Sequence, residues 1–217
     1  MNATILYPTS NKEGEEFEGR VRENILKVTN LPIISVSQKP IDFGHNIVVG
    51  DVGVSGYNMF RQVLIGLKEV KTEFVISAEA DCLYPPEYFQ FVPPRLDMPY
   101  RNTNTWVMPQ ERPWFWQKRG SATHAQIVGT KFYLDTLTKL FEGAPEWSPE
   151  ERNFPKERHK KDDVFDKIAY WFCPNPVVQI KTHRSMRHYT TSDRIDIHEL
   201  PYWRKGVEFR RKYYGDK

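Results

Sequence analysis

The stretch of residues 53–88 constrains the fold more than any other part of the chain. It opens with an amphipathic pattern that predicts a helix, and Ser55 stands where a helix cap is expected. The predicted inner face of that helix consists of Met59, Val63, Ile65, Leu67 and Val70. An uncharged strand follows at Phe74 to Ala78, and Glu79 and Asp81 come directly after it. The segment therefore predicts a buried strand that ends in two carboxylates.

The chain before this segment repeats the alternation of strand and helix. Ala3 to Tyr7 and Pro32 to Ser37 are short apolar runs that predict strands, and residues 17–28 between them have helical spacing. Residues 38–51 are polar and predict a loop. Such alternation favours a mostly parallel sheet with helices on both faces. Open sheets of this type bind ligands at the carboxyl ends of their strands, so Thr9, Ser37 and the acid pair should converge.

The second half of the chain is less regular. Residues 104–109 and 124–128 predict strands, residues 130–141 a helix, and residues 177–181 another strand. Residues 143–161 predict a charged loop that contains prolines. We also predict a helix over residues 163–172, with Asp162 or Asp163 at its start. No repeat or linker divides the 217 residues, which predicts a single domain.

Composition excludes some classes of protein and locations. Only two cysteines occur, Cys82 and Cys173, so a disulfide framework is not expected and a reducing cytoplasm is the simplest setting. The start of the chain lacks the pattern of a signal peptide, and no apolar run approaches the ~20 residues that span a membrane. The net charge of +3 does not by itself indicate a nucleic-acid partner. We expect a cytoplasmic protein without a membrane partner.

Five features occur in an order that resembles nucleotide-sugar glycosyltransferases with the glycosyltransferase-A fold. They are Asn58, the Gly66-Leu67 step, the strand Phe74 to Ala78, the triplet Glu79-Ala80-Asp81, and Pro85-Pro86-Glu87. The clear match covers about residues 3–90. The resemblance implies an α/β fold, a single-domain three-layer sandwich with a mostly parallel central sheet. Residues 1–90 would form the nucleotide-sugar-binding half and residues 91–217 the acceptor-binding half.

The resemblance also implies a metal site for Mn²⁺ or Mg²⁺. In this family the last acid of the triplet is usually the metal ligand, which gives that role to Asp81. Glu79 would face the metal or the ribose, although this chain has Glu where Asp is more frequent. Late histidines often complete such a site, so His183 is the first candidate and His188 the second. The alternative interpretations are that the triplet is a solvated acidic loop and that the two histidines are ordinary surface residues.

Other residues would bind the donor and activate the acceptor. Tyr7, Thr9 and Ser37 would line the nucleotide-sugar site, and Arg61 could contact the diphosphate or point into solvent. Inverting members of the family place a catalytic carboxylate at a helix start, often as the second of two acids. Within the Asp162-Asp163 pair, Asp163 would therefore accept the proton of the acceptor hydroxyl. The alternative is that this Asp only caps a helix.

The expected activity is a metal-dependent, inverting transfer of a sugar from a nucleoside-diphosphate donor, with UDP favoured. Basic runs at Arg152 to Lys161 and Arg204 to Lys212 suggest a polyanionic acceptor such as a hydroxymethylated base in DNA, and a saccharide is the other acceptor class. The alternative from another class is a non-catalytic nucleic-acid or carbohydrate-binding module of the same fold. A nucleotidyltransferase is a second enzymatic alternative. Neither GxGxxG nor GxxxxGK[ST] occurs, which disfavours dinucleotide-binding and P-loop proteins.

Overall fold

The computed structural model describes residues 1–109, 112–120, 122–148, 164–185 and 192–215. Its strands are β1 (Ala3–Thr9), β2 (Ile33–Ser37), β3 (His45–Val48), β4 (Phe74–Ser77), β5 (Cys82–Leu83), β6 (Tyr100–Asn102), β7 (Thr105–Met108), β8 (Phe115–Lys118), β9 (Gln126–Gly129), β10 (Ala169–Trp171), β11 (Val177–Ile180), β12 (Ser192–Ile197), β13 (Glu199–Leu200) and β14 (Arg204–Lys205). Its α-helices are α1 (Glu15–Val28), α2 (Gly56–Glu69), α3 (Thr130–Leu140) and α4 (Gly206–Tyr214). Two 3₁₀ helices span Pro86–Gln90 and Thr123–Ala125.

The central sheet has seven strands in the order β10-β6-β9-β4-β1-β2-β3. Strands β4, β1, β2 and β3 are parallel, and for β1, β2 and β4 the alternation of strands and helices predicted this arrangement. Strand β9 runs antiparallel to both β4 and β6, and β10 is parallel to β6. The sheet is therefore mostly parallel, and the predicted α/β class is confirmed.

Helices cover both faces of the central sheet because its strands are apolar on both faces. One face packs against α1 through side chains such as Ile25, and α4 packs beside α1, where Phe209 contacts Phe115 of β8. The other face packs against α2 and α3 through side chains such as Leu67 and Leu137. This is the three-layer arrangement that was expected. None of the helices in the described part of the chain is both long and apolar enough to cross a membrane.

Local signals explain where the first two helices begin. Three acids lie in the first turn of α1, where they interact favourably with the helix dipole. Ser55 caps α2, since its hydroxyl oxygen accepts a hydrogen bond from the backbone N–H of Asn58 at 3.0 Å. Gly66 lets α2 approach β1 closely, because a Cβ atom at this position would lie 2.3 Å from Cδ1 of Leu6.

A second sheet was not predicted. It has five strands in the order β12-β8-β7-β11-β5, and it includes the predicted strand 177–181 as β11. Its strand β5 follows the acid triplet directly and pairs with β11, with Cys82 opposite Gln179. The second sheet therefore continues from the edge of the central sheet at which β4 ends.

Two sequence predictions are wrong. The polar loop 38–51 contains β3, which pairs with β2 as an edge strand. The predicted helix 163–172 does not form in its described part: residues 164–168 are irregular and Ala169–Trp171 is β10. Pairing with β6 and the stacking of Trp171 on Phe91, with ring centroids 4.3 Å apart, outweigh the helical spacing. Asp162 and Asp163 lie outside the described residues.

Candidate functional site

The carboxyl ends of three parallel strands meet at one edge of the central sheet. Thr9 at the end of β1 pairs with Ser37 at the end of β2, and Leu6 pairs with Ser77 at the end of β4. The chain leaves β4 at this edge and enters Glu79-Ala80-Asp81. The fold thus brings the strand-end residues that were singled out from sequence to the same side of the sheet.

The hydroxyl groups of Thr9 and Ser37 are buried and already hydrogen-bonded within the protein. Thr9 donates to Oε2 of Glu18 at 2.9 Å and accepts from the backbone N–H of Asn11 at the same distance. Ser37 accepts from Nδ2 of Asn46 at 2.8 Å. These contacts hold the loop that follows β1 and fasten β3 to β2, so the two hydroxyls fix the backbone at this edge of the sheet.

Tyr7 and Arg61 also make internal contacts. The ring of Tyr7 is fully buried and packs edge-on against Phe43, with centroids 4.9 Å apart, and burial raises the pKa of its phenol well above the ordinary value. Arg61 donates to the carbonyl of Ala144 at 3.0 Å and lies over the ring of Phe141 at 4.1 Å. Arg61 therefore fastens the end of α3 to α2.

Asp81 is held in place by the second sheet. Its Oδ2 accepts a hydrogen bond from Nε2 of Gln179 at 2.9 Å, and its backbone carbonyl accepts from the N–H of Ile180 at 2.7 Å. The thiol of Cys82 donates to its Oδ1 at 3.2 Å. The carboxylate is thus oriented by neighbours on β5 and β11 before any ligand binds.

The fold brings Glu79 to His124, which was not among the histidines predicted to bind the metal. Because Ile76 on β4 pairs with Ile127 on the antiparallel β9, continuing that register places Glu79 opposite His124. The hydroxyl of Tyr84 joins them, since it accepts from the N–H of Glu79 and donates to the carbonyl of His124, both at 2.9 Å. The pairing of β9 with β4 was the missing signal, because it joins segments that are far apart in the chain.

Glu79, Cys82 and His124 form a compact group. Their potential ligand atoms all lie within 4.8 Å of one another. Nε2 of His124 is buried and has no hydrogen-bond partner among the described residues. Such a group is able to receive a ligand, because an unpaired buried polar atom is unfavourable unless a partner arrives.

Burial sets the charge of each member of this group. Burial and then the nearby Asp81 raise the pKa of Glu79 to about 7, although Lys118 and Lys181 oppose the rise. Burial, followed by the two lysines, holds the pKa of His124 well below its ordinary value, so the imidazole is neutral. Burial and the Asp81 charge raise the pKa of Cys82, so the thiol stays protonated.

These protonation states fit a hard or borderline divalent cation. A thiolate is the form of cysteine that binds metals, and the raised pKa of Cys82 disfavours that form. The carboxylates of Glu79 and Asp81 and the neutral imidazole of His124 are oxygen and nitrogen donors, which suit Mn²⁺ and, for the carboxylates, Mg²⁺. The donor set of the structure therefore fits the Mn²⁺ or Mg²⁺ that the resemblance implied.

His183 lies in an exposed turn after β11 and belongs to no such group within the described ranges. Its neighbour Thr182 donates a hydrogen bond from its hydroxyl to the carboxylate of Glu13, just before α1. The turn that carries His183 is therefore tied to the loop after β1. His188, the second candidate, lies outside the described residues, as Asp162 and Asp163 do.

No protein-family model matches the chain, and no curated protein matches it. Several solved structures have a similar fold. TarS of S. aureus matches with a TM-score of 0.52 and 14% identity, over 83% of this chain and 37% of that chain. The TarS 1–349 structure in complex with UDP-GlcNAc matches with a TM-score of 0.51 and 14% identity, over 87% of this chain and 60% of that chain. GlyE, a glycosyltransferase of Streptococcus pneumoniae, matches with a TM-score of 0.51 and 7% identity, over 98% of this chain and 60% of that chain.

A fourth structure belongs to another class of transferase. The inositol-1-phosphate CTP transferase of T. maritima matches with a TM-score of 0.51 and 12% identity over 84% of this chain and 90% of that chain. This chain spans less than two thirds of the TarS chains that it matches. Identities this low establish the fold alone. The chain has the glycosyltransferase-A-like fold that these nucleotide-sugar and nucleotidyl transferases share.

Proposed function

We propose that this protein is a metal-dependent glycosyltransferase that moves a sugar from a nucleoside-diphosphate donor, with UDP favoured, to an acceptor hydroxyl. One observation carries the proposal: Glu79 and Asp81 follow β4 at the carboxyl edge of the parallel strands, where this type of sheet binds ligands. The fold shared with TarS, whose structure contains UDP-GlcNAc, supports a uridine nucleotide as the donor.

Asp81 and Glu79 hold the divalent cation, Mn²⁺ or Mg²⁺, in this proposal. When bound, the cation neutralises negative charge that develops on the departing diphosphate. Gln179 orients Asp81, and His124 offers a neutral nitrogen beside Glu79. His183, in the turn after β11, remains the candidate for a further ligand.

Residues at the ends of β1 and β2 form the donor side. Thr9 and Ser37 position the loops that border the nucleotide, and Tyr7 supports them from the core. Arg61 would reach a diphosphate only by leaving its contacts with Phe141 and Ala144. We therefore expect substitution of Arg61 to affect stability more than donor affinity.

Asp163 is the proposed base, with Asp162 beside it. The acceptor oxygen attacks the anomeric carbon, its proton passes to the carboxylate of Asp163, and the bond to the diphosphate oxygen breaks with its electron pair. Such a direct displacement inverts the anomeric centre and requires no covalent intermediate. We expect Asp163→Asn to bind the donor normally and to lose turnover, because an amide cannot accept this proton. Unchanged turnover would place the base elsewhere.

The proposed acceptor is a hydroxymethylated base in DNA, with a saccharide as the other class. Support comes from the basic segment before and within α4, where Arg204, Lys205, Arg211 and Lys212 are exposed. Binding of DNA through these groups would weaken steeply with salt, because phosphate contacts release counterions. Reversing the charges of Lys205 and Lys212 should flatten that salt dependence; equal slopes would exclude this surface as the DNA site.

The deciding experiment is calorimetric titration of UDP and UDP-sugars with and without Mn²⁺. We expect Mn²⁺ to strengthen UDP binding to the wild-type protein and to have little effect on Asp81→Asn. Asp135→Asn is the matched control, because Asp135 is an exposed acid on α3 that pairs with Lys131 of the same helix. Equal Mn²⁺ dependence in Asp81→Asn and wild type would remove the metal site from the proposal.

A nucleotidyltransferase is the second candidate. The favouring observation is that the match to the CTP transferase covers 90% of that chain, a larger share than for the TarS and GlyE chains. Such an enzyme consumes a nucleoside triphosphate and releases pyrophosphate. A glycosyltransferase does not consume CTP, so pyrophosphate release from CTP would favour the nucleotidyltransferase. UDP release from a UDP-sugar would favour the glycosyltransferase.

A further inference from the structure

Two lysines of the second sheet lie beside the acid pair. Lys118 ends β8, and Lys181 directly follows β11. The N–H of Lys181 still donates to the carbonyl of Met108 at 2.9 Å, so the strand alternation continues and Lys181 shares a face with Gln179. Gln179 itself donates to Asp81. The Lys181 side chain therefore lies on the face that borders the acid triplet.

Neither lysine has a close counter-ion. Lys181 is only 9% exposed and Lys118 is half-buried, and within the described ranges neither ammonium forms a salt bridge or a hydrogen bond. Burial lowers the pKa of Lys118 and the charge of Lys181 lowers it further, while Cys82, Glu79 and Asp81 oppose the shift. The charges of both reach Glu79 and His124.

The nearby carboxylates do not satisfy these two cations. The oxygens of Asp81 accept from Gln179 and Cys82, and within the described ranges no hydrogen bond or ion pair joins Glu79 to either lysine. Continuing the register of β8 on β7 places Lys118 opposite Thr105, which pairs with Val177, so Lys118 shares the sheet face of Gln179 and Lys181. A buried charge is unfavourable unless it is paired, so the unpaired ammonium of Lys181, with a second unpaired ammonium on the same face, indicates that an anion binds there. The unpaired Nε2 of His124 in the same place offers one more polar contact.

We propose that Lys118 and Lys181 form an anion subsite that binds the phosphoanhydride group of the nucleotide and holds it without a divalent cation. This inference rests on the proposed function, because it names the groups that contact the donor diphosphate. The lysines supply positive charge to the leaving group from the second sheet, and the cation at Glu79 and Asp81 adds to it from the central sheet.

The test is calorimetric titration of inorganic pyrophosphate and of UDP in the presence of EDTA. We expect pyrophosphate to bind the wild-type protein, and Lys118→Met or Lys181→Met to weaken it by about 10- to 100-fold each, the usual effect of losing a charge-assisted contact. Lys131→Met is the matched control, since Lys131 is exposed on α3 and should leave the affinity unchanged.

Folding is checked by thermal unfolding. Removal of an unpaired ammonium should not lower the midpoint temperature of unfolding. If the methionine variants do not fold, the titrations are repeated with Lys118→Gln and Lys181→Gln. Pyrophosphate that does not bind the wild-type protein in EDTA, or that binds both lysine variants as tightly as wild type, would overturn the subsite. Lysine-dependent pyrophosphate binding with no added affinity for UDP would support the subsite and remove the proposed UDP-sugar donor instead.

Discussion

Replacement of Glu18 by Gln should change how the stability of this protein depends on pH. Glu18 lies on α1 beneath the candidate site, and its side chain is 1% exposed. Its Oε2 accepts from the hydroxyl of Thr9 at 2.9 Å, and the nearest cation, Nη1 of Arg22, is 3.8 Å away. Burial is the main reason that its pKa rises from 4.5 to about 7.

The sign and size of the effect follow from that shift. Because the folded state holds the proton of Glu18 more tightly than the unfolded state, this group favours folding most below pH 4.5 and loses that contribution as the pH rises to 7. At ~1.4 kcal/mol per pKa unit, the loss amounts to about 3 kcal/mol. Gln cannot ionise, and its carbonyl oxygen can still accept from Thr9. The stability of Glu18→Gln relative to wild type should therefore increase by about 3 kcal/mol between pH 4.5 and 8.

Urea unfolding at a series of pH values measures this difference. Glu23→Gln is the control, because Glu23 lies on the same helix with its side chain 66% exposed and pairs only weakly with Lys27. We expect the stability of this control relative to wild type to vary little with pH. The reasoning fails if Glu18→Gln differs from wild type by the same free energy of unfolding at pH 4.5 and at pH 8.

Three further predictions concern packing, capping and metal binding. Gly66→Ala should lower the free energy of unfolding, measured in urea, by about 1–3 kcal/mol, because the new Cβ would lie 2.3 Å from Cδ1 of Leu6. Gly56→Ala is the control: its Cβ would meet nothing within 4 Å, so this variant should be neutral or slightly stabilised in the same assay. Ser55→Ala should cost about 1 kcal/mol through the lost cap, and an unchanged urea midpoint would show that the cap is dispensable. Because the pKa of Glu79 is about 7 and its proton must leave before the carboxylate binds a metal, Mn²⁺ affinity should be roughly tenfold lower at pH 6 than at pH 8; calorimetry that gives equal affinities would contradict this.

The first half of the fold could be predicted because its signals are local. The apolar run of β4 and the amphipathic face of α2 are each visible within a short stretch, and the Ser55 cap acts within one helical turn. The same regularity predicted that Glu79 and Asp81 stand at the end of a buried strand. Local patterns gave a wrong prediction at β10, where the spacing of apolar residues predicted a helix. Pairing with β6 and the stacking of Trp171 on Phe91 favour a strand there.

The sequence alone determined the succession of β1, α1, β2, α2 and β4 and the position of the acid pair, since hydrophobic periodicity and capping act between near neighbours in the chain. Only the tertiary structure decided which groups surround that pair. The antiparallel pairing of β9 with β4 delivers His124, and the second sheet delivers Gln179, Lys118 and Lys181. These contacts join segments far apart in sequence, and their register depends on how two sheets pack together, which no short pattern of residues encodes.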